Sequence, residues 1–250
     1  VKQEYVVAGA GSALVVLHGG LSNRDDLNDQ LDALTARYRV WRPDRRGHGT
    51  TPDAPGPITY DNMADDTIEF LESVVGEPAH LIGYSDGAMV GLLVALRRPD
   101  LVRKLVLMGL YVNRDGEAEW FGRYVREATA AAVPESLRRA YGERSPDGPE
   151  HFDVVAEKIF HLWRTEPDLP VDALRELAAP TLLVQGDDDI VTLEHGVAMA
   201  RAIPDAQLAV VPGASHTVPY EKPGLVTQLF VDFLADEQPT KLFNAEALGV

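Results

Sequence analysis

The 250-residue sequence contains no cysteine. That absence removes disulfides, thiolate metal sites and cysteine nucleophiles together, and it leaves the redox compartment unspecified. Any nucleophile must come from another residue type. Basic residues are also scarce: 23 Lys and Arg stand against 39 Asp and Glu, a formal net charge of -16. Such a field repels phosphate backbones and anionic lipid surfaces, so neither nucleic acid nor a membrane is an expected partner. No stretch approaches the roughly 18 apolar residues that a membrane-spanning helix needs. Val1 to Gly11 is too short and too polar for a secretory signal. The expected location is therefore cytoplasmic, in a chain that starts at Val1 with no methionine and leaves room for native residues ahead of it. Repeats and low-complexity tracts are absent. The remaining composition, 45% hydrophobic and 25% charged, is ordinary for one folded domain with a large core.

Short apolar runs rich in β-branched residues recur at Ala13 to Leu17, Tyr38 to Arg42, Ala79 to Tyr84, Leu101 to Leu110, Thr181 to Gln185 and Ala206 to Val211. Several are continuous rather than alternating, as in strands covered on both faces. Amphipathic stretches separate them at Arg24 to Arg37, Tyr60 to Val75, Gly87 to Arg97, Leu193 to Ala202 and Leu225 to Ala235. The alternation predicts an α/β fold, a mostly parallel doubly wound sheet with helices on both sides. It breaks once. Residues 111–179 show helical pattern only, with many prolines and, from Trp120 to Trp163, seven aromatics that make the segment too apolar for a linker. The expected division is a core of residues 1–110 and 180–250 and an inserted helical cap of residues 111–179. Most cap aromatics must glue it to the core; Trp120, Tyr124 and Trp163 are candidates for lining a substrate cavity.

Gly83-Tyr84-Ser85-Asp86-Gly87 closes one apolar run and opens a helical one. A bare G-x-S-x-G is common by chance, but the strand and helix around it give it meaning. The turn is so sharp that positions two before and two after the serine must be small, as Gly83 and Gly87 are. It pushes the Ser85 hydroxyl out at the carboxyl end of the sheet, beside a helix N-terminus. Serine needs a base, normally a histidine oriented by a carboxylate. Of seven histidines, His216 follows the last apolar run within Gly213-Ala-Ser-His216, at the same sheet edge. His18 and His48 read as loop-structural, and His80, His151, His161 and His195 as solvated or packing residues. The run from Thr181 ends in a Gly turn and three carboxylates, Asp187, Asp188 and Asp189, which complete the chain order Ser, Asp, His. Spacing alone leaves open which of the three acts. A calcium site is disfavoured because no spaced oxygen-ligand loop follows. Gly19 and Gly20 allow close backbone approach, and the amides of Gly20 and Asp86 are the expected oxyanion donors.

With these motifs in place the chain resembles an α/β-hydrolase of the lid-bearing, esterase and haloperoxidase-like branch, from about Tyr5 to Ala235. His18-Gly19-Gly20 is similar to the family's oxyanion loop, and Asp44-Arg45-Arg46-Gly47-His48-Gly49 resembles its D-x-R-G-x-G turn. The family's carboxylate stands three positions after the acid-loop glycine, so the resemblance implies Asp189. Dehalogenases and epoxide hydrolases of the family carry Asp at the elbow, so Ser85 points away from an alkyl-enzyme and toward acyl transfer. Asp86 departs from the Met or Gln common at its position, and its carboxylate would oppose an oxyanion unless turned away or paired. A helix N-terminal Asp is favoured by the dipole, and the pattern is also similar to that of amino-acid-ester hydrolases, where such an Asp reads an ammonium group.

The expected function is cleavage of a carboxylic ester or lactone of a small-molecule substrate by Ser85, His216 and Asp189, with no metal and no cofactor. Tyr84 and Asp86 are candidate substrate contacts. Alternatives are C-C bond hydrolysis, perhydrolysis or haloperoxidase-like chemistry, amide or thioester cleavage, and, from another class, a slow-turnover ligand receptor on a hydrolase scaffold.

Overall fold

In the computed structural model, which describes residues 1–235, seven strands form one sheet in the order β1-β3-β2-β4-β5-β6-β7. They are β1 (Tyr5–Ala8), β2 (Ala13–Leu17), β3 (Arg39–Pro43), β4 (Ala79–Tyr84), β5 (Val102–Met108), β6 (Thr181–Asp188) and β7 (Ala206–Ser215). All neighbours pair parallel except β1 with β3. The continuous apolar runs have their cause here, since every residue of β2 and β4 is buried. Along β2 the side chains alternate between two layers. Ala13, Val15 and Leu17 join the core beneath α2 (Tyr60–Phe70) and α3 (Asp86–Arg97), while Leu14 and Val16 join the core on the opposite face. That second layer is closed by α1 (Asn28–Thr35) and, after the sheet, by α9 (Pro223–Leu234), whose Phe230 is fully buried. Removing such a ring costs about 3–5 kcal/mol.

Between β5 and β6 lie α4 (Glu119–Glu127), α5 (Glu135–Gly142) and α6 (Phe152–Thr165), with short 3-10 turns and one isolated bridge, Glu117 to Val191. After β6 come α7 (Leu193–Ala202) and, beyond β7, the short α8 (Val218–Glu221). The expected core range runs to residue 250, and its part from 236 onward lies outside the described residues. No helix among the described residues is long and apolar enough to cross a membrane.

Three differences from the sequence reading have physical causes. β1, Tyr-Val-Val-Ala, is a four-residue edge strand with mostly exposed side chains, too short to stand out beside the longer apolar runs. The stretch from Arg24 winds into helix only at Asn28, because Leu27 ahead of it sits at φ 63°. β6 and β7 run past the expected ends, and a register shift between Gly186 and Asp188 brings Asp188 opposite Ser215.

The elbow explains its own glycines. A Cβ at Gly83 would lie 2.3 Å from the Gly87 carbonyl oxygen, and one at Gly87 would lie 2.2 Å from the Leu17 carbonyl oxygen. Backbone on both sides leaves nothing free to yield. Gly87→Ala is therefore expected to cost about 2–3 kcal/mol or more through overpacking, a fall of about 5–10 °C in melting temperature. Thermal unfolding followed by circular dichroism would contradict this if the variant melted with the parent.

Candidate active site

Ser85 stands between β4 and α3 with φ 54° and ψ -120°, a conformation that non-glycine residues hold only at a cost of about 1–3 kcal/mol. Its amide donates to the Met108 carbonyl at 2.8 Å, which ties the turn to β5. The hydroxyl lies 3.0 Å from His216 Nε2, and His216 Nδ1 lies 2.8 Å from Asp189 Oδ1. The carboxylate fixes the tautomer: Nδ1–H donates to Asp189, and Nε2 accepts the Ser85 proton. Asp189 is held in turn by the Ile190 amide at 2.7 Å and the Gly186 amide at 3.1 Å. Of the three acids, Asp189 is the one that meets His216. Asp187 faces back to the Ala214 amide at 3.1 Å, and its pKa is lowered by backbone hydrogen bonds from Gly213 and Ala214, while Asp188 is exposed. Behind the imidazole, Gly109 has φ +65°, and a Cβ there would come within 2.6 Å of His216 Cε1.

The loop after β2 reaches the same point. Neither the Gly20 nor the Asp86 amide has a protein acceptor among the described residues. The Gly19 amide donates to Asp26 Oδ2 at 2.8 Å, and the carbonyls of His18 and Gly19 accept from Arg45 Nη2 at 2.6 and 2.9 Å. Arg45 is completely buried; desolvation lowers its pKa, and the Asp86 and Asp26 carboxylates oppose that fall. Burial likewise raises the pKa of Asp26, although Ser22, Tyr220 and the Gly19 amide all donate to it. The D-x-R-G-x-G turn supplies the frame: Asp44 accepts from the Arg24 and Thr50 amides at 2.7 and 2.8 Å, and a side chain at Gly49 would collide with it.

These groups meet at a cavity of about 370 Å³ that reaches Ser85 and His216. Met89, Leu110, Tyr111 and Ile190 line it from the sheet side; Phe121, Leu137, Trp163 and Pro167 line it from the helical insertion. Two of the residues expected to line a cavity lie away from this one. Trp120 and Tyr124 are 51% and 42% exposed and do not line the cavity. They share the outer face of α4 at i and i+4, and Phe121, one position on, turns inward. Trp163 and Tyr84 do line it, and the Tyr84 hydroxyl donates to the His216 carbonyl at 3.3 Å. Asp86 also borders the cavity, but its carboxylate is turned toward protein donors: Oδ1 accepts from Tyr60 Oη at 2.8 Å and Trp163 Nε1 at 2.9 Å, and Oδ2 is buried without a partner. Asp26, Arg45, Tyr60 and Tyr220 were not identifiable from the sequence. Each is distant from the serine in the chain, and only Arg45 lies in a motif.

Three other histidines are structural. His18 donates from Nδ1 to the Gly19 carbonyl at 2.7 Å and accepts the Arg45 amide at 3.0 Å; His48 donates to Arg46 and accepts from Leu21. His195 is buried rather than solvated, because its Nε2 accepts the Val112 amide at 3.1 Å where the insertion begins. Burial holds the His18 pKa well below 6.5 and lowers that of His48 to about 3. The folded protein therefore keeps both rings neutral, and the unfolded chain takes up protons first as the solution is acidified. Stability from these rings is complete above about pH 6.5 and is lost progressively below it, each adding up to about 1.4 kcal/mol per pH unit of slope. Melting temperature should fall from pH 6.5 to pH 5, and His48→Gln should make that fall shallower. A profile flat over this range in both proteins would contradict the assignment.

The sequence profile of the alpha/beta hydrolase family matches residues 14–229. Among curated proteins, the chain is 28% identical over 250 residues to a sn-1-specific diacylglycerol lipase of Mus musculus, covering 89% of this chain and 81% of that protein. It is 27% identical over 270 residues to a 2-hydroxy-6-oxo-6-phenylhexa-2,4-dienoate hydrolase of Burkholderia cepacia, covering 92% and 90%. A solved meta-cleavage product hydrolase from Pseudomonas fluorescens superposes with a TM-score of 0.78 at 22% identity, covering 92% of this chain and 93% of that one. A thermophilic esterase from Thermogutta terrifontis gives 0.72 at 27% identity, covering 93% and 92%. With the profile matched over most of its length and the serine, acid and histidine loops in the order that fold uses, this chain belongs to the alpha/beta hydrolase family and is a hydrolase.

Proposed function

We propose that the protein cleaves a carboxylic ester or lactone of a small organic molecule through a Ser85, His216, Asp189 triad and an acyl-enzyme. The observation that carries this reading is the unbroken hydrogen-bond chain from Asp189 through His216 to Ser85, opening on a cavity of about 370 Å³. Residues 111–179 act as the cap of that cavity and supply much of its apolar wall. Such a wall suits an acyl or alkoxy group of modest size and low polarity.

In the proposed reaction Ser85 Oγ attacks the carbonyl carbon as its proton passes to His216 Nε2, and Asp189 stabilises the imidazolium. The carbonyl oxygen becomes an oxyanion held by the Gly20 and Asp86 amides, next to the α3 N-terminus. Collapse breaks the C–O bond, and the leaving alkoxide takes the proton from His216. Water, deprotonated by the same imidazole, then attacks the acyl-enzyme, and its collapse returns the proton to Ser85. An ammonium-reading role for Asp86 has no supporting observation, because protein donors occupy Oδ1 and Oδ2 is buried behind Gly20.

Ser85→Ala is expected to lower turnover of p-nitrophenyl acetate and of a simple lactone by about 10³-fold or more and to abolish covalent labelling by a fluorophosphonate. Full activity in the purified variant would overturn the nucleophile. Asp189→Asn should leave the fold intact and lower kcat by about 10³- to 10⁴-fold through loss of the correct tautomer; a change confined to KM would remove Asp189 from the triad. Rapid labelling of the parent followed by a single burst without turnover would favour the receptor reading.

A further inference from the structure

Asp86 combines two opposed functions in one residue. Its amide is a proposed oxyanion donor, and its carboxylate, if it turned toward the same point, would repel the charge that the amide stabilises. We propose that Trp163 is a positioning residue that, with Tyr60, holds this carboxylate back from the oxyanion, so that docking of the helical insertion completes the site. The inference rests on the assignment of the Gly20 and Asp86 amides made above.

Three contacts support it. Trp163 Nε1, from α6 of the insertion, and Tyr60 Oη, at the start of α2, both donate to the same Asp86 oxygen, at 2.9 and 2.8 Å. The indole and the other carboxylate oxygen pack directly behind Gly20: a Cβ there would stand 2.7 Å from Trp163 Cζ2 and 2.4 Å from Asp86 Oδ2. One insertion side chain thus touches both residues that supply the oxyanion amides. The third contact joins the two donors, since the Tyr60 amide donates to Glu166 Oε2 at 3.0 Å, three residues beyond Trp163. Rotating the carboxylate toward the amides requires both donor bonds to break at a residue that is only 4% exposed. A tryptophan serving only as cavity wall would need its ring but not its N–H.

Trp163→Phe keeps an aromatic wall and removes the N–H; Tyr60→Phe removes only a hydroxyl. The readouts are kcat and KM on a p-nitrophenyl ester and the second-order rate of fluorophosphonate labelling at Ser85, which scores the oxyanion site whatever the natural substrate is. Each variant is expected to lose about 10- to 100-fold in kcat and in labelling rate, the range of a charge-assisted hydrogen bond, with KM within about threefold. In an Asp86→Asn background the loss should shrink to less than about threefold, because no charge remains to hold back. A raised KM at unchanged kcat, or an equal loss in both backgrounds, overturns the proposal. If the parent is labelled but hydrolyses no ester, the ester reading fails and the labelling rates alone decide this one. A parent that is not labelled overturns both. If Trp163→Phe does not fold, Tyr60→Phe decides in the same two backgrounds.

Discussion

The buried guanidinium of Arg45 is the interaction on which the site depends. Desolvating a cation costs several kcal/mol, and the fold offsets this by surrounding Arg45 with the carbonyls of His18 and Gly19 and with the nearby Asp86 and Asp26 carboxylates. The consequence is directional. Arg45 draws the carbonyls of the loop after β2 inward, Asp26 draws in the Gly19 amide, and the next amide, Gly20, is left without a protein acceptor beside Ser85. Neutral His18 and His48 complete the frame, each donating to one backbone carbonyl and accepting one backbone amide. A protonated ring in either place would lose its acceptor and add a second charge beside Arg45.

The site is assembled from parts with different mechanical character. Ser85, Asp189 and His216 follow the carboxyl ends of paired strands, and their contacts depend on backbone that cannot shift easily. The cavity wall from the insertion rests instead on side chains: Trp163 on Asp86, Glu166 on the Tyr60 amide, Lys158 and His151 on Asp53. Strain is concentrated where the two meet. Among the described residues, φ is positive outside glycine at Leu21, Leu27 and Ser85, and two of these three adjoin the proposed oxyanion site.

Strands β2 and β4, the elbow, the acid loop and the histidine loop could be read from the sequence because each is determined locally, by a continuous apolar run or by glycines whose hydrogens face backbone. Resemblance rather than spacing points to Asp189; the physical distinction, that Asp187 is occupied by the Ala214 amide, exists only after β6 and β7 pair. The cavity wall is legible only in part. Trp120 and Tyr124 lie one and three positions from Phe121 on a helix, and which face turns inward is decided by the packing of α4 against α6, not by the residues themselves. Asp26 and Tyr60 were invisible for a related reason: their roles arise from partners far along the chain, Gly19 and Tyr220 for one, Asp86 and Glu166 for the other.

The extension of β6 past Gly186 has a broader meaning. Asp188 pairs with Ser215, so Asp189 and His216 are each the residue that follows one half of a strand pair. Their alignment is measured out by sheet register, a ruler anchored in the core, and the start of the insertion is tied to the Asp189 loop by the Glu117 to Val191 bridge. Beyond that edge, the helices α4 to α6 can be lengthened, shortened or repacked without touching the strand pair that sets the distance from Asp189 to His216. In such a scaffold the chemistry is inherited with the sheet, and the choice of substrate is free to change with the segment above it.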